Sequence, residues 1–359
     1  MAEKQNITAA QRAQNFAMST RQNLQMLAAQ TVTSGGSSVS FTLPKARLFS
    51  GVVLDFEFKV KIKHATKTDL PALSVFTPYR LVRRLSMNFN FGFQPFVLSG
   101  QELAMINMVS HYRGDYYIKG TDSTEGFCYW DGKGASSTGK EQTIRFTLEM
   151  QTAMNDRDPI SLIMLQNEQT VVDVVIDFAN GSEIFGKAGE GYEVEIVQGR
   201  VTPAVETFSI PAATEAFPDI SVLKLVDSRN ENFKGSGQHV LKLQTGTIYR
   251  RIIMMFTDKD GNPVEDEILS SPLELVFNQA DTNYSILPRM LKVRNTMEYG
   301  FMLPKGMYVF DFAYQGTVNL GGTRDYIDTE ALTEFWLRFN TTDDICVSVV
   351  KECITRVKS

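Results

Sequence analysis

Histidine and cysteine are scarce: the chain of 359 residues holds three of each. His64, His111 and His239 are far apart, and no H-x-H pair occurs. A metal-dependent β-roll enzyme needs a close histidine pair with an added carboxylate, so each histidine reads as a surface or satisfied structural residue. Cys128, Cys346 and Cys353 are an odd number with no C-x-x-C spacing. On one extended strand the last two would stand about 23 Å apart at roughly 3.3 Å per residue, too far to bridge. Free thiols in a reducing compartment are expected. No apolar run reaches the roughly 18 residues that a membrane-spanning helix needs, and MAEKQNITAAQRAQ lacks the charged and apolar regions of a secretory signal. A net charge of −5, from 36 basic and 41 acidic residues, provides no global field for nucleic acid.

Several short motifs approach a chemistry and fall short of it. In GASSTGKE (134–141), Gly134, Gly139 and Lys140 stand as in a phosphate-binding loop, but Glu141 replaces the hydroxyl that would hold magnesium. EQTIRFTLEM follows, an alternating strand pattern and not a helix whose N-terminus would meet a phosphate. An exposed loop between strands is expected. DKDG (258–261) lacks the further ligands of a calcium loop and reads as a tight turn. NDRDP (155–159) reads as a cap or turn, with an ion held between subunits as the other reading. NITA, NGSE, NYSI and NTTD fit glycosylation sequons, which matter only in a secretory route. The aromatic and basic stretch 79–91 has the residue types that stack single-stranded nucleic acid. Its alternation, with Arg83 and Leu85 on one side and Arg84 on the other, reads instead as a half-buried strand.

What is present is mostly a period of two. A composition 43% hydrophobic and 21% charged is that of a folded globular chain, and this length predicts two domains. VVLDFEFKVKI (52–62), TIRFTLEM (143–150), VVDVVIDF (171–178), HVLKLQT (239–245), MYVFDFAY (307–314) and FWLRF (335–339) alternate apolar with polar residues. Gly-, Asn-, Asp- and Pro-rich turns separate them, which predicts antiparallel sandwiches or barrels. GQELAMINMVSHYR (100–113) and SILPRMLKVRNTMEY (285–299) predict helical insertions. The segment from Thr8 to Gln30 has no Gly or Pro, and Ile7, Ala10, Ala13, Phe16, Leu24 and Leu27 fall near one helical stripe. TSGGSS (33–38) then predicts a flexible joint. RRLSMNF (83–89) and RRIIMMF (250–256) echo one another, which suggests a tandem duplication.

In this order of segments the chain resembles the double jelly-roll major capsid proteins of tailless icosahedral phages with an internal membrane, the tectivirus type. The resemblance rests on AAQRAQNFAMSTRQNLQMLAAQ (9–30), GVVLDFEFKVKIKHAT (51–66), YRLVRRLSMNFNF (79–91), YRRIIMMF (249–256) and LPKGMYVFDF (303–312). It implies an all-β fold of two tandem eight-stranded antiparallel jelly rolls, 37–203 and 204–359, with short helical insertions and an N-terminal helical arm and hinge over 1–36. It further implies a non-enzymatic virion protein without cofactor or metal, made in the bacterial host cytoplasm. Pseudo-hexagonal homotrimers would tile an icosahedral shell. Their partners would be neighbouring trimers, minor capsid and vertex proteins and the internal membrane, with no sequence-specific nucleic-acid binding. Arg12, Phe16, Arg21, Leu24 and Leu27 would form an inner-face arm touching the membrane, with Gly35 and Gly36 as its hinge; the other reading of that stripe is a helix packed on its own domain. The competing reading is a two-domain jelly-roll spike or carbohydrate-binding protein that recognises its ligand through surface aromatics.

Overall fold

The computed structural model describes residues 8–71, 73, 76–90, 92–114, 128–153, 160–166, 169–264, 266–313 and 326–356. NDRDP (155–159) and Ile7 of the N-terminal stripe lie outside the described residues. The first half runs α1 (Ala9–Ser19), β1 (Gln22–Met26), β2 (Gln30–Val32), β3 (Ser38–Thr42), β4 (Leu48–His64), β5 (Val82–Phe89), β6 (Phe93–Leu98) and α2 (Gly100–Ser110). β7 (Cys128–Trp130), β8 (Lys140–Gln151), β9 (Ile163–Met164), β10 (Val172–Phe178) and β11 (Tyr192–Phe208) complete it. The second half runs β12 (Val222–Phe233), β13 (Gly237–Leu243), β14 (Ile248–Thr257), β15 (Leu273–Phe277), β16 (Asp281–Ile286) and α3 (Pro288–Tyr299). β17 (Met307–Asp311), β18 (Ile327–Asp328), β19 (Phe335–Thr341) and β20 (Ile345–Arg356) end the chain.

Among the described residues these strands form three sheets. One has the order β1-β11-β4-β8-β7, with β2 also on β11 and β9 on β4. The central one has the order β17-β14-β20-β12-β6-β5-β10-β3, and the third β13-β19-β15-β16. Counting β1 with β2 as the first strand, the first half places strands first-eighth-third-sixth (β1, β11, β4, β8) opposite second-seventh-fourth-fifth (β3, β10, β5, β6). The second half repeats both orders with β12, β20, β14, β17 and β13, β19, β15, β16. Each half is therefore one eight-stranded roll. The central sheet is continuous because β6 of the first roll pairs in parallel with β12 of the second, Phe96 opposite Val226 and Val97 opposite Asp227.

The alternation read from the sequence decides which faces are inside. On β4, Val52, Leu54, Phe56, Phe58, Val60 and Ile62 are buried, while Asp55 and Lys59 between them are exposed. Fully burying each such side chain contributes about 1.5–3 kcal/mol, so a one-residue slip would reverse the whole gain. β5 departs from simple alternation: pairing with β10 shifts between Asp177 and Phe178, leaving Arg83 in a bulge. Arg83 and Arg84 are both exposed while Leu85 is buried, so the expectation that Arg83 and Leu85 share a side is corrected by that bulge.

Two further expectations change. The helix expected over 8–30 stops at Ser19, and residues 22–32 join the first roll as its first strand, paired antiparallel with β11. RRLSMNF lies on β5, fourth in its roll, and RRIIMMF on β14, third in the other, so their echo does not mark equivalent positions. The equivalent pair is α2 and α3, each leading from the fifth strand towards the sixth. Asn107 of α2 donates to the carbonyl of Glu149 and accepts from its N–H, both at 2.8 Å. Asn295 of α3 does the same to Val309, at 2.9 and 3.0 Å. Leu103 and Leu291 are buried one turn before these asparagines.

Candidate assembly surface

The residues expected to form the arm separate into inward and outward sets. Thr8 caps α1, exchanging hydrogen bonds with Gln11 through a capping box. Phe16 is only 5% exposed and meets Phe208 edge-on at 5.4 Å, beside Leu48, Ala153 and Leu162. Leu27 is half-buried against the main core, and its N–H donates to the Pro203 carbonyl at 2.8 Å. Both face the body of the protein. Arg12 and Arg21 are exposed, as are Met18, Leu24 and Met26. The joint expected at Gly35 and Gly36 is a tight turn seated on the first roll. The Gly36 N–H donates to the Ala179 carbonyl at 3.3 Å, and its φ of 73° lies where glycine is favoured. A Cβ on Gly35 would stand 3.1 Å from the Gly181 nitrogen.

Helix α1 and the end of β20 come to one place. The Ser221 hydroxyl, with lesser help from the charges of Arg12 and Arg356, holds Asp219 below the usual carboxylate range. Arg12 belongs to α1 and Arg356 ends β20, so the helix and the last strand converge at that end of the molecule.

The joint between the rolls was not foreseen from the sequence. α2 lies across the outer face of β12, β20 and β14. Its buried Glu102 accepts from Ser228 Oγ at 2.8 Å, Asn230 Nδ2 at 3.2 Å and Ser348 Oγ at 3.0 Å. Arg251 Nη1 donates to Ser110 Oγ at the end of α2 and to Glu352 Oε2 at 3.0 Å, while its Nε donates to Asp311 Oδ2 at 2.9 Å. The Tyr299 hydroxyl donates to the same Asp311 oxygen. Lys224 and Arg250 stand 3.9 and 3.3 Å from Glu352 Oε1. All five charged groups are buried. Burial works against the Arg251 charge, but Asp311 and Glu352 outweigh it and raise its pKa further. Burial drives Lys224 down despite Glu352, so Arg251 is the partner that carries the pair. The hydrogen bonds of Arg251 to Glu352 and Asp311 favour one arrangement of the strands they join, while Glu352 Oε1 is held by the nearby Lys224 and Arg250 charges without accepting a hydrogen bond.

The other described motifs sit in hydrogen-bonded turns and strands. The loop before β8 carries Gly134 and Gly139 at positive φ, and the Gln142 amide donates to the Gly134 carbonyl. Lys140 begins the strand and is exposed. Lys140→Ala is expected to leave the unfolding temperature unchanged, with no ATP hydrolysis before or after. An ATP-dependent rise in that temperature, lost in the variant, would contradict this. In DKDG, the Asp258 carboxylate accepts from the Asp260 and Asn262 N–H groups, closing a turn. His64 Nδ1 accepts from the Thr66 and Lys67 N–H groups, His111 pairs with Glu149 at 2.9 Å, and His239 meets Gly235 and Thr341. Cys346 and Cys353 share β20 as free thiols, and burial pushes Cys353 up to about 12.

Compared with known proteins, the sequence matches no family model and no curated protein. The fold matches solved structures. The chain superposes on the STIV major capsid protein with a TM-score of 0.67 over 93% of its own length and 96% of the other, at 14% identity. This is the double jelly-roll fold. The PBCV-1 virus capsid gives a TM-score of 0.62 at 10% identity, covering 95% of each chain. The major capsid protein of bacteriophage PM2 gives 0.53 at 11% identity, covering 94% and 98%. In each case the double jelly roll is matched from end to end, both rolls together.

Proposed function

We propose that this double jelly-roll chain is a structural, non-enzymatic major capsid subunit, and that three copies form a pseudo-hexagonal tile of an icosahedral shell. The observation that carries the reading is the joint. A continuous central sheet, the α2 seat and the Arg251–Glu352–Asp311 cluster make two rolls into one rigid body. Three such bodies about a threefold axis place six similar rolls in a ring, and a ring of heterologous contacts closes without exposed ends. The end-to-end likeness to capsid chains supports the same role. Light scattering on the purified protein at micromolar concentration is expected to give the mass of three chains. A monodisperse monomer would contradict the trimer.

The end carrying α1 and Arg356 is assigned to the inner face of the shell, above an internal membrane. Among the described residues Arg12, Arg21 and Arg356 are exposed basic groups of that end, and Met18 is an exposed apolar one. Each basic residue near anionic lipid contributes about 1 kcal/mol, falling off within a Debye length. One subunit therefore binds weakly, and many copies on a shell bind firmly. The spike or carbohydrate-binding alternative has no specific observation in its favour.

A further inference from the structure

We infer that α3 of one copy seats on the outer face of β1, β11 and β4 of the next copy, with Met290 against Met26. This rests on the trimeric reading above and names the surfaces that build it. Inside one chain, α2 covers the outer face of the second roll's β12, β20 and β14. α3 is the same element in the second roll, matched by the paired roles of Asn107 and Asn295. Met105 and Val109 of α2 are fully buried. Their counterparts on α3, Val293 and Met297, are 50% and 78% exposed. With Leu287 and Met290 they form a stripe on the side of α3 away from Leu291, Asn295 and Tyr299, which are buried. A four-residue apolar stripe facing water marks a contact surface.

The register identifies its seat. Asn295 bonds Val309, whose row continues across the sheet through Ile253, Val350 and Ser228. Asn107 bonds Glu149, whose row continues through Val53, Ala204 and Met26. Met26 thus stands in the first roll where Ser228 stands in the second. Met290 stands on α3 where Glu102 stands on α2. Inside the chain the Glu102–Ser228 hydrogen bond joins the two places; between copies an apolar pair does. The seat is also apolar and open, with Leu24 at 61% and Met26 at 68% exposed. Charge agrees: exposed Arg289 flanks the stripe, and Asp55 and Glu206 flank the seat. The next copy's α3 then covers Leu24, which the sequence had suggested for the membrane.

The test uses full-length Met26→Glu, full-length Met290→Lys, and the two changes in one chain. Both positions are exposed, and near-ultraviolet circular dichroism checks that each variant keeps the native fold. Either single change is expected to reduce the mass in light scattering from three chains to one. The double variant places Glu against Lys at every contact and is expected to restore the trimer. If the unaltered protein is monomeric, the trimeric reading itself fails. If it is trimeric and both single variants stay trimeric, only this contact is overturned. A Met26→Cys, Met290→Cys chain supplies a second readout, because oxidation should link neighbouring chains covalently. A trimer that yields no linked chains on oxidation also overturns the contact.

Discussion

A chain lacking residues 1–36 will not fold, whereas one lacking residues 1–20 will. The difference lies in β1 and β2. They are the first strand of the first roll, and without them the long edge of β11 from Gly199 to Phe208 is left unpaired. Val32, fully buried in the main core, and half-buried Leu27 are lost with them. An unpaired edge of that length is a template for aggregation as well as a loss of stability. The shorter deletion removes α1, whose main anchorage is Phe16 on Phe208. Truncating a buried Phe costs about 3–5 kcal/mol, which a domain of this size can survive. Thermal unfolding followed by circular dichroism separates the cases. A cooperative transition for the 37–359 chain would show that the segment is an independent arm.

The second large effect is expected at the joint. Glu352→Gln and Arg251→Met should each lower stability by about 3–5 kcal/mol, because each leaves an uncompensated buried charge behind. Acid should act through the same group. Burial alone would raise Glu352, but Lys224, Arg251 and Arg250 outweigh it and hold the carboxyl at about 2, below its ordinary value of 4.5. The folded state therefore binds the proton more weakly than the unfolded one. The stability this contributes is complete above about pH 5 and is lost as the pH falls through 4 towards 2. A shift of that size corresponds to about 3 kcal/mol. In Glu352→Gln the unfolding temperature should start lower and fall less steeply between pH 5 and pH 2. Parallel curves for the two proteins would show that Glu352 does not carry the acid sensitivity.

The rolls were legible in the sequence because half-buried strands carry their faces in alternation. β4, β8, β10 and β19 all have the buried side that their residues predict. The first strand was not legible. QNLQM is built from residues that also suit a helix, and what makes it a strand is the open edge of β11, far away in sequence. The charged joint was hidden for the same reason: Lys224, Arg251, Asp311 and Glu352 come from four separate strands. The echo of RRLSMNF in RRIIMMF was a false guide, since similar strands can occupy different places in a roll. The true internal match is the fainter spacing Leu103 to Asn107 and Leu291 to Asn295. It was present in both helical insertions and became recognisable once each asparagine was seen bridging to a strand backbone.

Electron-microscopic class averages of the purified protein test the central claim most directly, because they show how many rolls surround an axis. The account predicts a threefold particle with a hexagonal outline of six lobes, two from each chain. A two-lobed particle without a threefold axis would contradict it.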